Sequence, residues 1–269
     1  TMMSLPSVNL SSIRAKLLAG GTVLILLPLL ISGFLSYQKS HDALLDMSLS
    51  SAEGVAADLA RMTKKIIDSD MFLAGSIAAE KHVIDIARAV KEDGADAHSG
   101  EIAVAFEDIK NQFSRLDKHY QGIFIAGTDG ILFTGILDSG KEYKGSNISK
   151  RGYFQKARET KKTVISEVVL SKSTGKMIVV ACAPILSDSN EFLGALGVVI
   201  RAEFFTNLIS ERKVGETGYG YMINSKGIVI AHPKPDLLLK LDVTTIDAMK
   251  TINTRMLAQE KGVEEYTFK

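Results

Sequence analysis

The sequence is poor in the residues that carry most enzyme chemistry. One cysteine, Cys182, stands in 269 residues, so neither an intramolecular disulfide nor a cysteine metal cluster can form. It lies in the apolar run Met-Ile-Val-Val-Ala-Cys-Ala-Pro (177–184) and reads as a small buried hydrophobe rather than a reactive thiol. The five histidines, His41, His82, His98, His119 and His232, form no metal-spaced pair such as His-Glu-x-x-His. Gly194-x-x-Gly197 and Gly218-x-Gly220 lack the strand–glycine–helix setting of a nucleotide loop. No Gly-x-Ser-x-Gly elbow and no paired catalytic carboxylates are found, which disfavours a hydrolase. An excess of either charge is missing too. The 32 Lys and Arg against 31 Asp and Glu leave +1, and no window is rich in Lys and Arg, so nucleic acid is not an expected partner. The expectation is a protein that is not an enzyme, with no cofactor and no metal.

Charge is absent altogether between Lys16 and Lys39 over the 19 residues Leu17–Leu35. As a helix this run would extend about 28 Å, close to the roughly 30 Å of a hydrocarbon core. It exceeds a signal-peptide core, and no small-x-small cleavage pattern follows it closely. A buried core helix would carry a polar face, which this run lacks. Pro28 is tolerable in a membrane helix. Arg14 and Lys16 precede the span, while Lys39 and His41 mix with Asp42 and Asp46 after it. The positive-inside bias then keeps residues 1–16 cytoplasmic, makes 17–37 the transmembrane helix and sends the rest outward.

Proline is absent again from residues 38–91, which hold only two glycines. Leu45, Leu49, Ala52, Ala56, Leu59, Met62, Ile66, Leu73 and Ile77 recur at steps that draw one stripe along a long helix. Such a stripe can pack against a second copy or along the chain's own domain, and a homodimer is expected. After a polar loop at 91–100, a second helix carries Ile102, Phe106, Ile109, Phe113 and Leu116 on one face. From Gly122 the period changes. Ile123–Ala126 and Ile131–Thr134 flank the turn Gly-Thr-Asp-Gly (127–130) as a hairpin, and Asp129 there is turn chemistry. A short helix at Lys150–Thr160, with Ser149 as its N-cap, precedes strands at Thr163–Leu170, Met177–Leu186 and Phe192–Arg201. The order gives one five-stranded antiparallel sheet with helices against it, an α+β domain.

The hairpin then recurs. Gly-Ile-Phe-Ile-Ala-Gly-Thr-Asp-Gly-Ile-Leu-Phe-Thr (122–134) is echoed by Gly-Tyr-Met-Ile-Asn-Ser-Lys-Gly-Ile-Val-Ile-Ala-His (220–232). A linking helix at Glu203–Arg212 separates the copies, a further helix carries Ile246, Met249, Ile252 and Met256, and Val263–Phe268 begins another strand. The second copy lacks two strands by Lys269, so the expectation is a fragment of a longer protein.

These features resemble the double Cache sensor region of methyl-accepting chemotaxis proteins. The resemblance rests on Asn-Ile-Ser-Lys-Arg-Gly-Tyr-Phe-Gln-Lys-Ala (147–157), Ser-Thr-Gly-Lys-Met-Ile-Val-Val-Ala-Cys-Ala-Pro-Ile (173–185), Phe-Leu-Gly-Ala-Leu-Gly-Val-Val-Ile (192–200) and Thr-Gly-Tyr-Gly-Tyr-Met-Ile-Asn-Ser-Lys-Gly-Ile-Val-Ile-Ala-His-Pro (217–233). It implies tandem PAS-like antiparallel sheets: a membrane-distal, ligand-binding Cache subdomain at 92–212, reached by the helix 38–91, and an incomplete membrane-proximal one at 213–269. His232 then reads as structural.

In that family an Arg followed by aromatics at the mouth of the short helix holds a ligand carboxylate. The pattern falls here on Arg151, Tyr153 and Phe154, and a guanidinium suits a bidentate grip on a carboxylate. Ser166 is a further candidate for the cavity wall. Amino-acid-binding members carry an Asp near the end of the fifth strand, where Val199 stands here. A ligand ammonium buried there would lose its counter-charge, so the expected ligand is an organic acid or similar solute. The implied function is the periplasmic sensor of an inner-membrane chemoreceptor. The alternatives are the same sensor on a histidine kinase or cyclic-dinucleotide enzyme, and a membrane-tethered binding protein without signalling.

Overall fold

The computed structural model describes residues 13–215 and 217–264. Two compact units divide the chain, Thr1–Ala52 and Glu53–Lys269.

In the first unit the described residues are one stretch of helix α1 (Ile13–Ala78), with Pro28 inside it. The side chains described from 13 to 51 are all exposed. They include Leu24 at 76%, Leu30 at 70% and Phe34 at 61%, so nothing in this unit buries the apolar run. The helix is long and apolar enough to cross a membrane, with a mean hydropathy of 2.2 in its most apolar window.

In the second unit α1 continues to Ala78 and buries Leu59, Thr63, Asp70, Ala74 and Ile77. These steps of three, four and seven put one side of the helix against the fold. The periodicity predicts a single helix on to residue 91, but the chain breaks at Glu80, whose backbone is extended, and restarts as α2 (Lys81–Asp93). Gln112 donates both to Glu80 Oε2 at 2.9 Å and to Oε1 at 3.1 Å, which pins the break to α3 (Ser99–Phe113). The break re-aims the chain, so that Val83, Ile86 and Ala87 of α2 join Ile102, Ala105 and Ile109 of α3 in one core.

That core covers one face of an antiparallel sheet. Its strands are β1 (Tyr120–Ala126), β2 (Leu132–Leu137), β3 (Val164–Ile165), β4 (Val169–Leu170), β5 (Met177–Leu186) and β6 (Phe192–Arg201), in the order β2-β1-β6-β5, with both β3 and β4 paired to β5. The predicted strand at 163–170 is thus two short pieces. At the split Ser166 N–H still donates to the Val180 carbonyl at 2.9 Å, but Val180 N–H donates to the Ser166 hydroxyl at 2.8 Å, so a side chain takes one of the pair's two ladder bonds from the backbone. Alternation along the strands sends Ile123, Ile125, Ala181 and Val198 to the helical face. Phe124, Val180, Cys182 and Val199 face the other side, where α4 (Gly152–Thr160) packs with Tyr153, Phe154 and Ala157. A Cβ at Gly197 would lie 2.1 Å from the Phe124 ring, so the ring lies directly on that glycine. Cys182 is a buried free thiol, pushed up to about 12 by burial, in keeping with a packing role.

Helix α5 (Ala202–Ser210) leads out of the sheet. A small pair not read from the sequence follows, β7 (Lys213–Val214) with β8 (Gly218–Tyr219), and then the second hairpin, β9 (Met222–Ile223) with β10 (Val229–Ala231). Asn224 Oδ1 accepts from Lys226 N–H at 2.9 Å and Ile228 N–H at 3.0 Å, closing its turn. Helix α6 (Lys250–Leu257) follows, preceded by a 3-10 turn at Asp247–Met249. Of the predicted strand at Val263–Phe268, Val263 and Glu264 are not extended in a sheet, and 265–268 lie outside the described residues. His232 is buried, accepting from Lys234 N–H at 2.8 Å with Tyr219 edge-on at 5.1 Å, a structural role. The fold class is α+β: a long apolar N-terminal helix, then tandem Cache-like sheets with helices, the second reduced to short strands among the described residues.

Candidate ligand-binding site

The short helix α4 starts one residue after Arg151, which holds the N-cap position with extended backbone and no capping side chain. Ser149 is not the cap predicted from sequence. Both its N–H, at 2.9 Å, and its hydroxyl, at 2.6 Å, donate to Asn147 Oδ1, so the loop's own turn has claimed the hydroxyl. The uncapped helix start leaves Arg151 free to reach away from α4, and its Nη2 donates to the Leu170 carbonyl of β4 at 2.8 Å. This contact ties α4 to the outer strand of the sheet and sets the guanidinium at the rim of a cavity.

The cavity measures about 950 Å³ and is lined by Arg151, Tyr153 and Ser166 together. Three of the five residues singled out in the sequence therefore meet at one site. Phe154 and Val199 do not reach it. They are 0% and 1% exposed in the packed layer behind Tyr153, and Phe154 stands edge-on to Phe192 at 5.9 Å. Burial pushes the Tyr153 hydroxyl above its ordinary value, with Arg151 opposing the shift, so the phenol stays neutral and available for hydrogen bonding. Ser166 is less available than its position implies, since its hydroxyl donates to the Glu167 carbonyl at 2.6 Å while accepting from Val180.

Most of the wall is supplied by segments that local motif reading does not connect with Arg151. Thr63 and Ile67 come from α1, Val179 from β5, Phe205 from α5, and Met222 to Ser225 from the second hairpin. Lys156 on α4 adds a second cation. Five residues on from the extended Arg151, it shares no helical face with it, so spacing alone did not signal it. The α1 and hairpin residues carried no signal either, because only the tertiary fold brings them near. Among the described residues no cluster of His, Cys, Asp and Glu could hold a metal ion.

An antiparallel sheet flanked by helices, with a cavity where a short helix begins, is a PAS-like architecture. The Cache domain family model matches residues 36–269, and the chain belongs to that family. Methyl-accepting chemotaxis protein McpA of Bacillus subtilis is 24% identical over 259 residues, 95% of this chain and 35% of the relative. Sporulation kinase D of the same organism is 33% identical over 110 residues, 38% of this chain and 21% of the relative. The chain thus spans about a third or less of the length of these relatives. A solved domain of a sensory box/GGDEF family protein from Vibrio parahaemolyticus superposes with a TM-score of 0.62 at 16% identity, covering 82% of this chain and 87% of that one. At that identity the likeness speaks for the fold.

Proposed function

We propose that this chain is the extracytoplasmic sensing region of a transmembrane chemoreceptor. It binds a small organic acid through Arg151, is not itself catalytic, and passes the binding signal along α1. The observation that carries the reading is that α1 supplies Thr63 and Ile67 to the wall of the Arg151 cavity, while the same unbroken helix carries the exposed apolar run at its other end. A ligand touching α1 changes the environment of the element that enters the membrane, which is the differential contact a signal requires. The apolar run needs a hydrocarbon surrounding, since every side chain described there is exposed.

The assignment is 1–16 cytoplasmic, 17–37 in the inner membrane, 38–91 signalling segment made of α1 and most of α2, 92–212 distal ligand-binding Cache subdomain and 213–269 proximal Cache subdomain, with a homodimer as the working assembly. Likeness to McpA supports the chemotaxis output. Likeness to a sporulation kinase supports the second reading, the same sensor on a kinase, with a cyclic-dinucleotide enzyme as the other output such a sensor could serve.

The test is calorimetry of the chain with a panel of organic acids. A charge-assisted contact to Arg151 contributes about 1.5–3 kcal/mol, so Arg151→Ala should weaken binding roughly ten- to a hundredfold. Arg151→Lys should restore only part, because an ammonium offers a point charge instead of a fork. Unchanged affinity in the alanine variant would remove Arg151 from the site.

A further inference from the structure

We propose that the Arg151 cavity takes a monocarboxylate with an extended apolar body, the acid at Arg151 and the hydrocarbon lying across to the second hairpin. This deepens the reading that Arg151 binds an acid group and rests on it.

The charges are confined to the part of the wall near α4 and β4. Arg151 and Lys156 come from the start of α4 and its second turn, and Lys156 makes no ion pair among the described residues. The surface beyond them is uncharged and mostly apolar, with Ile67 of α1, Val179 of β5, Phe205 of α5, Met222 and Ile230, beside the neutral polar side chains of Thr63, Asn224, Ser225 and Gln259. Five elements, α1, β5, α5, β9 and β10, thus converge apolar side chains on one space. At about 30 Å³ per water, 950 Å³ has room for about thirty waters, of which a two-carbon acid would displace only a few. A longer apolar body displaces roughly one more water per methylene from the mostly apolar wall, and each buried methylene should tighten binding about fourfold.

The single carboxylate on the wall, Glu167, makes no ion pair among the described residues. It selects against a second acid group nearby by repulsion. A carboxylate at the far end would lie by Met222 and Ile230 with no cation near it, only the neutral polar groups of Asn224, Ser225 and Gln259, and would lose hydration that these replace only in part. Dicarboxylates of equal length should therefore bind more weakly than the monocarboxylates.

The experiment is calorimetry of the full 269-residue chain in lipid nanodiscs with acetate, butanoate, hexanoate, octanoate and the eight-carbon dicarboxylate suberate. Ile230→Asp and Met222→Gln are tested alongside, since neither touches the apolar run that could take up acids non-specifically. Affinity rising about fourfold per methylene, with suberate at least tenfold weaker than octanoate and the gain with length cut by either variant, is the expected result. Equal affinity for acetate and octanoate, with both lowered by Arg151→Ala, would overturn the apolar-body proposal and leave the Arg151 reading standing. Acids that bind equally well to the Arg151→Ala protein would overturn both, as would a chain-length gain that neither hairpin variant reduces when Arg151→Ala has no effect.

Discussion

Asp70 is a carboxylate on α1 that is 1% exposed. Its Oδ1 accepts from the Tyr120 hydroxyl at 2.6 Å, while Oδ2 has no partner. Burial raises its pKa, opposed by the Tyr120 bond and by His119. His119 stacks on Phe204 at 4.3 Å, so the pair lies where α1, the start of β1 and α5 meet. The sign follows from proton binding. Above the ordinary carboxylate range the folded chain holds a proton that the unfolded chain releases, so this group's contribution to stability falls as pH rises through its raised pKa. Asp70→Asn can keep the Tyr120 bond and removes the titration. Thermal melts between about pH 4 and about pH 8 should show the variant gaining on the parent as pH rises, and a constant difference across that range would contradict the buried-acid account. Arg151, by contrast, is understood from its own residue type: a guanidinium at a helix start was readable in the sequence, and its bond to Leu170 was not.

The sheet depends on a close approach that a single methyl group would spoil. Phe124 and Gly197 are directly paired across β1 and β6, and the ring occupies the space a Cβ at 197 would need. With Phe124 1% exposed, the ring has nowhere to move. Gly197→Ala should cost about 1–3 kcal/mol, read as a lower midpoint in denaturant unfolding, and Phe124→Leu in the same chain should recover part of it. An unchanged midpoint in the single variant would mean the ring has freedom the structure does not show. For α1 the prediction is topological. Cysteines placed at Ser12 and Ser99 should differ toward an impermeant thiol reagent on intact spheroplasts, with only residue 99 labelled and the buried Cys182 silent. Labelling at 12 alone, or at both, would reverse or abolish the single span. The break at Glu80 is the element-scale feature that periodicity hid. Apolar steps of three and four continue from α1 into α2, and a stripe does not record that the axis turns between Ala78 and Lys81.

At the scale of the whole chain, protection should be uneven. Strands β5 and β6 are ten residues each, buried and paired along their length, whereas β9 and β10 are two and three residues long. Hydrogen exchange should therefore be slowest in β1, β5 and β6 and at least tenfold faster in the second hairpin, because opening a short ladder exposes little apolar surface. Equal protection in both would show that the second hairpin is as firmly held as the first sheet. An acid bound across the cavity should slow exchange in Met222–Ile223, a coupling that a site confined to α4 and the first sheet would not produce.

Local chemistry determined much of this protein by itself. An uncharged run of membrane length, a hairpin turn that repeats, period-two strands and a lone buried cysteine each follow from residue type and spacing, and they specify an α+β chain with a long apolar N-terminal helix and a repeated hairpin. Arg151 and Tyr153 were marked by the family resemblance, and with Ser166 they line the cavity. Tertiary structure alone decided that Phe154 and Val199 pack behind the cavity wall instead of lining it, because strand alternation assigns a face but does not say which facing residues are covered. It also brought Thr63, Ile67 and Met222 to the same cavity wall from segments more than 150 residues apart. No sequence pattern spans that separation, since such contacts exist only once burial of the intervening sheet has folded the chain back on itself.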